Sequence, residues 1–290
     1  MIERRAFVSV IVPTYRDWER LRRCLDALER QTYPKDRFEV VVVNNDPDGS
    51  VPDLPNSSNV RMLTEPRPGS YAARNTAIHN ARGEVLAFTD SDCIPDKDWL
   101  ANGAAWLEMG HRRVAGHIEL FFSGRKRTIA EAYERATAFN QRAMAARGSA
   151  RTANMIALRS VFDAVGLFNE KLFSGGDTEW GLRAAAEGIG IVYARDAVVF
   201  HPARATLGSL FAKARRLSGS IGTMKRYGMS RRWLVRGFNP PVRKMKRIIH
   251  SDLLTRKEKS FACLLAYAIK LYQTVFRIFV SVGLISPPRQ

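Results

Sequence analysis

Val85-Leu86-Ala87-Phe88-Thr89-Asp90-Ser91-Asp92 decides the fold. Four apolar residues give way to a hydroxyl and two carboxylates, the profile of a buried strand whose carboxyl end opens onto solvent. Working back from it, Ser70 or Tyr71 to Ala81 reads as a helix stopped by Gly83, and Val60–Leu63 as a short strand before Pro66, Pro68 and Gly69. Phe38–Val43 and Phe7–Val12 are two further apolar runs. Between them, Trp18–Gln31 spaces Leu21, Cys24 or Leu25, and Leu28 at helical intervals. Strand and helix therefore alternate from residue 7 to 92. This predicts an α/β domain with helices flanking a sheet, and ligands bind such sheets at the carboxyl ends of the strands.

Beyond Asp92 the alternation loosens. Helices are expected over Asp96–Met109, Thr128–Arg147, Ser160–Val165 and Asp177–Glu187. Strands are expected over Val114–Phe122, Thr152–Leu158, Ile191–Tyr193 and Ala197–Phe200. The chain of 290 residues is 46% hydrophobic and 26% charged, which argues against a disordered or fibrous protein. Its net charge of +18 is concentrated. Residues 1–203 hold 27 basic and 26 acidic side chains, whereas residues 204–290 hold 19 basic and 2 acidic. Cys24, Cys93 and Cys263 lack metal-ligand spacing and suit reduced thiols in a cytosolic setting. Glu3, Arg4 and Arg5 lead straight into the first strand, so no signal peptide is expected.

Side chains two apart on an extended chain point the same way, so Asp90 and Asp92 project together. Paired carboxylates suit a hard divalent cation, which in turn suits a diphosphate. The plain alternative is a solvated turn that runs on into Asp96 and Asp98. Further motifs surround this one. Pro13-Thr14-Tyr15 closes the first strand and Asn44-Asn45-Asp46 the second; Ala73-Arg74-Asn75 opens the helix before the strand that ends in Asp90. Gly175-Gly176-Asp177-Thr178-Glu179-Trp180 opens a later helix. Alone, Asp177 would read as a helix N-cap and Glu179 as the i,i+4 partner of Arg183. Trp180 reads either as a core residue or as a platform for a sugar.

The order and spacing of these motifs, from about Val8 to His201, resembles the inverting glycosyltransferases of family 2, which have the GT-A fold. The resemblance implies a mixed, Rossmann-like sheet flanked by helices and a nucleotide-sugar donor. It places Pro13, Thr14 and Tyr15 in the base pocket, Arg74 on the nucleotide, and Asp90 and Asp92 in the metal and nucleotide motif. It makes Asp177 the general base. A histidine near the position of His201 touches the metal or diphosphate in related enzymes, although a lone histidine is more often packed or at the surface. Asn44 stands where the family usually has an aspartate that accepts the base's imide hydrogen, and Asp46 follows two residues later. The cofactor implied is Mn or Mg.

The expected domains are a GT-A catalytic domain over 1–203 and a basic, helical, membrane-associated extension over 204–290. Phe211, Tyr227, Trp233 and Phe238 interleave the basic residues of the extension, where Arg215 and Arg216 read as a solvated face. Phe261–Ile285 is apolar and long enough to span a bilayer. Lys270, Gln273, Thr274, Arg277 and Ser281 nonetheless fall on one helical stripe, so a helix lying in the membrane interface is expected ahead of one packed on the domain, and both ahead of a span. The function expected is sugar transfer from a nucleotide donor to a lipid-linked or glycan acceptor in surface-polysaccharide or glycolipid assembly. The enzyme would be cytoplasmic and peripheral on the inner face of the cell membrane, attracted to anionic lipid. The alternatives are a transferase with a soluble acceptor and a nucleic-acid-binding protein using the basic tail. The second leaves Asp90, Asp92 and Asp177 unexplained, and no nucleic-acid partner is expected.

Overall fold

The computed structural model describes residues 5–46, 48–49, 52, 58–122, 124, 126–172, 174–219 and 237–285. The basic residues and aromatics of 220–236, Tyr227 and Trp233 among them, lie outside the described residues. The chain divides into two compact units. The first comprises residues 1–119, 140–170 and 176–201; the second comprises 120–139, 171–175 and 202–290.

The first unit is built on a sheet. Its opening strands are β1 (Val8–Thr14), β2 (Phe38–Asn44), β3 (Val60–Thr64) and β4 (Val85–Phe88). β1, β2 and β4 are buried along their whole length, which is why they read as mostly apolar runs; Glu39 of β2 is buried with Ser9 of β1 donating to it. β1 pairs in parallel with β2 on one side and β4 on the other, and β3 adds in parallel beyond β2. The crossovers are α1 (Trp18–Glu29) and α2 (Ser70–Asn80). α1 buries Leu21, Cys24, Leu25 and Leu28, so both alternatives at the second position face inward.

β5 (Ile94–Pro95), β6 (Arg113–Phe121), β7 (Met155–Leu158) and β8 (Val192–Pro202) complete the eight-stranded sheet, in the order β3-β2-β1-β4-β7-β6-β8-β5. β7 runs antiparallel to β4 and to β6, and β5 antiparallel to β8, so the sheet is mixed. Strand order reverses between β1 and β4, which makes their carboxyl ends the topological switch point where such sheets bind ligands.

Two expectations are corrected. The helix expected over Thr128–Arg147 is two, α4 (Ile129–Thr137) and α5 (Gln141–Ala145). Phe139 between them has φ 41°, and Asn140 restarts the helix by accepting the Ala143 N–H at 2.9 Å. The two strands expected before His201 are the single strand β8. The remaining helices of the first unit are α3 (Trp99–Glu108), α6 (Arg159–Val165) and α7 (Gly176–Ala186).

The second unit is helical: α4, α8 (Leu207–Gly219), α9 (Val242–Ile249) and α10 (Arg256–Ser281). Ala132, Tyr133, Leu210, Ile248, Leu265 and Ile269 are among the residues of its core. Within that unit the buried Glu134 carboxylate is met by Lys213 at 2.8 Å and Arg204 at 3.1 Å, so the charge is paired where it leaves water. Thr255 and Glu258 form a capping box that starts α10.

Candidate active site

The sheet brings the ends of β1, β2 and β4 side by side. Thr14 pairs with Asn44 in register, and the Thr89 N–H donates to Ile11 O at 3.2 Å, carrying Asp90 out beside β1. The Asp90 carboxylate accepts from Arg74 Nη2 on the first turns of α2. Asp92 lies 3.7 Å from His201 Nε2 and 3.6 Å from Arg20 Nη1. Desolvation pushes its carboxyl above the usual carboxylate range; the His201 charge opposes this and the Asp90 charge adds to it. Asp96 and Asp98 do not join this group. Asp96 accepts the Asp98 N–H and Asp98 accepts from Thr32, both at the start of α3.

Ligand atoms of Asp90, Asp92, Cys93 and His201 lie within 4.8 Å of one another. Two carboxylates and an imidazole make a donor set that fits Mn or Mg, for which the soft sulfur of Cys93 is a poor ligand. Nearby, Thr14 Oγ1 and Arg74 Nε are buried and have no partner among the described residues. Buried polar groups are rarely left unpaired in protein interiors, and both stand at the switch point.

The second-strand motif is spent locally. Asn44 Oδ1 accepts the Asp46 N–H at 3.0 Å while its Nδ2 donates to Asp46 O at 2.9 Å, so the amide is turned back on its own loop. Asn45 donates to Glu65 O and Arg67 O and accepts from Gly69 N–H, which fixes the approach to α2. Asp46 binds Arg16 at 2.6 Å, and that hydrogen bond holds its carboxyl below the usual range. The Arg16 guanidinium also lies 5.2 Å from the ring of the exposed Tyr15. Pro13 is buried within β1.

Asp177 is the second residue of α7, which begins at Gly176, so it is not an N-cap. Its carboxylate accepts the Thr178 N–H at 2.8 Å and Arg151 Nη1 at 3.1 and 3.2 Å. Its N–H donates to the Tyr71 hydroxyl at 3.1 Å. The two glycines before it serve different ends. Gly175 has φ 84°, in the left-handed region. A Cβ at Gly176 would come within 2.8 Å of the Tyr71 ring. Gly176→Ala should therefore overpack this contact and cost about 1–3 kcal/mol, read as a lowered thermal midpoint. An unchanged midpoint would show that the ring yields freely.

α2 thus carries both connections. Tyr71 holds the Asp177 backbone, and one turn on Arg74 holds Asp90, with the Arg74 guanidinium 5.6 Å from the Tyr71 ring. α7 is held from below by Arg113. That side chain is fully buried and donates to backbone carbonyls of Gly148, Gly181, Ile189 and Gly190. Burial lowers its pKa to about 10, which leaves it charged at neutral pH. Glu179 pairs with Arg183 at 2.7 Å, and Trp180 is a core residue stacked on Phe162. Sequence reasoning missed Arg16, Arg20, Tyr71, Arg113 and Arg151. Only Arg16, directly after the Pro13-Thr14-Tyr15 motif, stood next to a signal.

The mixed sheet, with acidic residues at its switch point, defines a GT-A glycosyltransferase fold. Its structural relatives agree. A mannosyltransferase of Pyrobaculum calidifontis, solved in complex with GDP-Man and Mn²⁺, superposes with a TM-score of 0.56 at 20% identity, over 99% of this chain and 78% of its own. The chain belongs to glycosyl transferase family 2, whose sequence profile matches residues 9–162. It is 35% identical to the glycosyltransferase AglE of Haloferax volcanii over 81% of this chain and 82% of that protein. It is 35% identical to the poly(ribitol-phosphate) beta-N-acetylglucosaminyltransferase TarS of Staphylococcus aureus, over 37% of this chain but only 20% of TarS.

Proposed function

We propose that the chain is an inverting, metal-dependent hexosyltransferase that moves a sugar from a nucleotide donor to a lipid-linked or glycan acceptor, on the cytoplasmic face of the membrane, in surface-polysaccharide or glycolipid assembly. Residues 1–203 would form the catalytic domain and 204–290 the extension. The observation that carries the reading is the gathering of Asp90, Asp92 and His201 at the switch point, beside the unpaired buried atoms of Thr14 and Arg74. The GDP-Man and Mn²⁺ of the mannosyltransferase and the polymer named as the acceptor of TarS support it.

In this reading Pro13, Thr14, Tyr15, Asn44 and Asp46 border the nucleoside, and Arg74 faces the diphosphate as well as Asp90. Asp90, Asp92 and His201 would hold the cation. When bound, the cation neutralises charge on the departing nucleoside diphosphate. Asp177 takes the proton of the acceptor hydroxyl. The freed oxygen bonds to the anomeric carbon as the bond from that carbon to the diphosphate breaks on the opposite face, which inverts the centre. Arg151 and the Thr178 N–H hold the carboxylate in place before the acceptor arrives.

A thermal-shift panel of nucleotide sugars, each with and without Mn²⁺ or Mg²⁺, tests the donor half. A ligand selective for the folded state raises its stability with occupancy. The expected result is one base class that raises the midpoint only with the cation. A panel without any shift at saturating concentrations would overturn the assignment of the donor site.

A further inference from the structure

α10 buries Ala262, Leu265, Ala266, Ile269 and Phe276, and part of its polar stripe is drawn against the protein beside them. Thr274 is buried and donates to Gly237 O at 3.1 Å, and Gln273 donates to Ala214 O at 3.4 Å. Burial lowers the Arg277 pKa. The face left open is apolar. Phe261, Leu264, Leu271, Val275, Phe279 and Val282 recur at steps of three, four and seven residues, which places them along one side of the helix. Five of them, all but Leu271, are 40–66% exposed. By length and composition α10 could cross a membrane, yet its opposite side packs into the helical core of its own unit.

We infer that this open stripe is a membrane-docking surface, on which α10 lies flat in the headgroup region of an anionic bilayer with Phe261, Leu264, Val275, Phe279 and Val282 among the acyl chains. The stripe of Lys270, Gln273, Thr274, Arg277 and Ser281 predicts a helix lying in the membrane interface. In the structure Gln273 and Thr274 of that stripe bond to the protein, and the exposed apolar row is what is left for the lipid. Its other side packs on α4, α8 and α9, so the face it can offer to lipid is this one stripe. A row of large apolar side chains on one helix face is the hallmark of interfacial binding. The charge commits the occupant. Arg243, Lys246 and Arg247 on α9, and Arg256 and Lys257 at the start of α10, are all exposed, and the extension as a whole holds 19 basic and 2 acidic residues. An anionic lipid surface matches both properties at once, whereas a second copy of this chain would bring like charge against like charge. The surface deepens the membrane placement proposed above, but it is read from the second unit alone and rests on none of the catalytic residues.

Co-sedimentation of the full chain with phosphatidylglycerol-containing vesicles, and with neutral phosphatidylcholine vesicles, tests it. The chain should pellet with the anionic vesicles, less with the neutral ones, and less in high salt. Val275→Glu/Phe279→Glu should lower anionic-vesicle partitioning by about tenfold or more, since binding scales with buried apolar area. Met109→Glu places one added charge at an exposed apolar residue of the first unit and should change nothing. Phe279→Trp should add fluorescence that brominated lipid quenches, and this serves should the double variant fold poorly. Donor hydrolysis should persist in all three variants, which separates failure of this surface from failure of the transferase reading. The proposal is overturned if the chain ignores both vesicle types. It is equally overturned if Phe279→Trp escapes quenching, or if the double variant binds as before. Sedimentation velocity showing a dimer that Val275→Glu/Phe279→Glu dissociates would assign the face to a second copy instead.

Discussion

Asp177→Asn should fold, bind donor with little change, and turn over roughly 10²-fold or more slowly, the scale of a lost general base. The asparagine carbonyl can still accept the Thr178 N–H, and the backbone bond to Tyr71 is untouched, so position is kept while basicity goes. Steady-state transfer, with donor-induced thermal shift as the binding control, separates the two. Near-normal turnover would remove Asp177 from the role. A variant that also loses donor binding would point to a damaged α7 rather than a missing base.

The second large effect is expected at Asp92. Its carboxylate faces His201 on one side and Arg20 on the other, so Asp92→Ala leaves two basic side chains facing each other where the proposed cation should sit. Cation-dependent donor binding should weaken by roughly 10²-fold or more, reflecting several kcal/mol of charge stabilisation, and excess Mn²⁺ should restore only part of it. Titration of donor against Mn²⁺ by calorimetry reads this directly. In the parent protein, chelation with EDTA should abolish transfer and readdition should restore it. Transfer that ignores EDTA would reject the proposed cation site and leave a cation-independent transferase.

Much of the first unit was legible because burial wrote it plainly. β1, β2 and β4 are buried along their whole length, so nearly every position is apolar and the strands stand out, with Glu39 of β2 the charged exception. The break at Phe139 was not legible, since neither glycine nor proline marks it and the flanking alanines favour a continuous helix. The carboxylates of the candidate site stood out because aspartates at strand ends are unusual. The arginines that face them did not. Arg151 reaches Asp177 from a segment 26 residues away that also contains Arg142 and Arg147, and nothing local distinguishes the three. α10 failed differently: its apolar residues occupy more than one face, and only the packing partner decides which of them turns inward.

One consequence lies in the pairing of charges around the switch point and α7. Asp46, Asp90, Asp92 and Asp177 are each faced by an arginine, Arg16, Arg74, Arg20 and Arg151, with Arg20 shared between Asp92 and Asp17. These carboxylates are thus largely balanced by arginines, whereas the extension is strongly basic. A nucleotide sugar carries one negative charge on each of its two phosphates, and a divalent cation cancels both. The donor with its cation therefore enters with almost no net charge, and ionic strength has little hold on its binding. Attachment to an anionic surface has the opposite character. The same molecule would keep its affinity for donor while salt strips it from lipid, so the two halves of its work could be titrated apart by nothing more than the buffer.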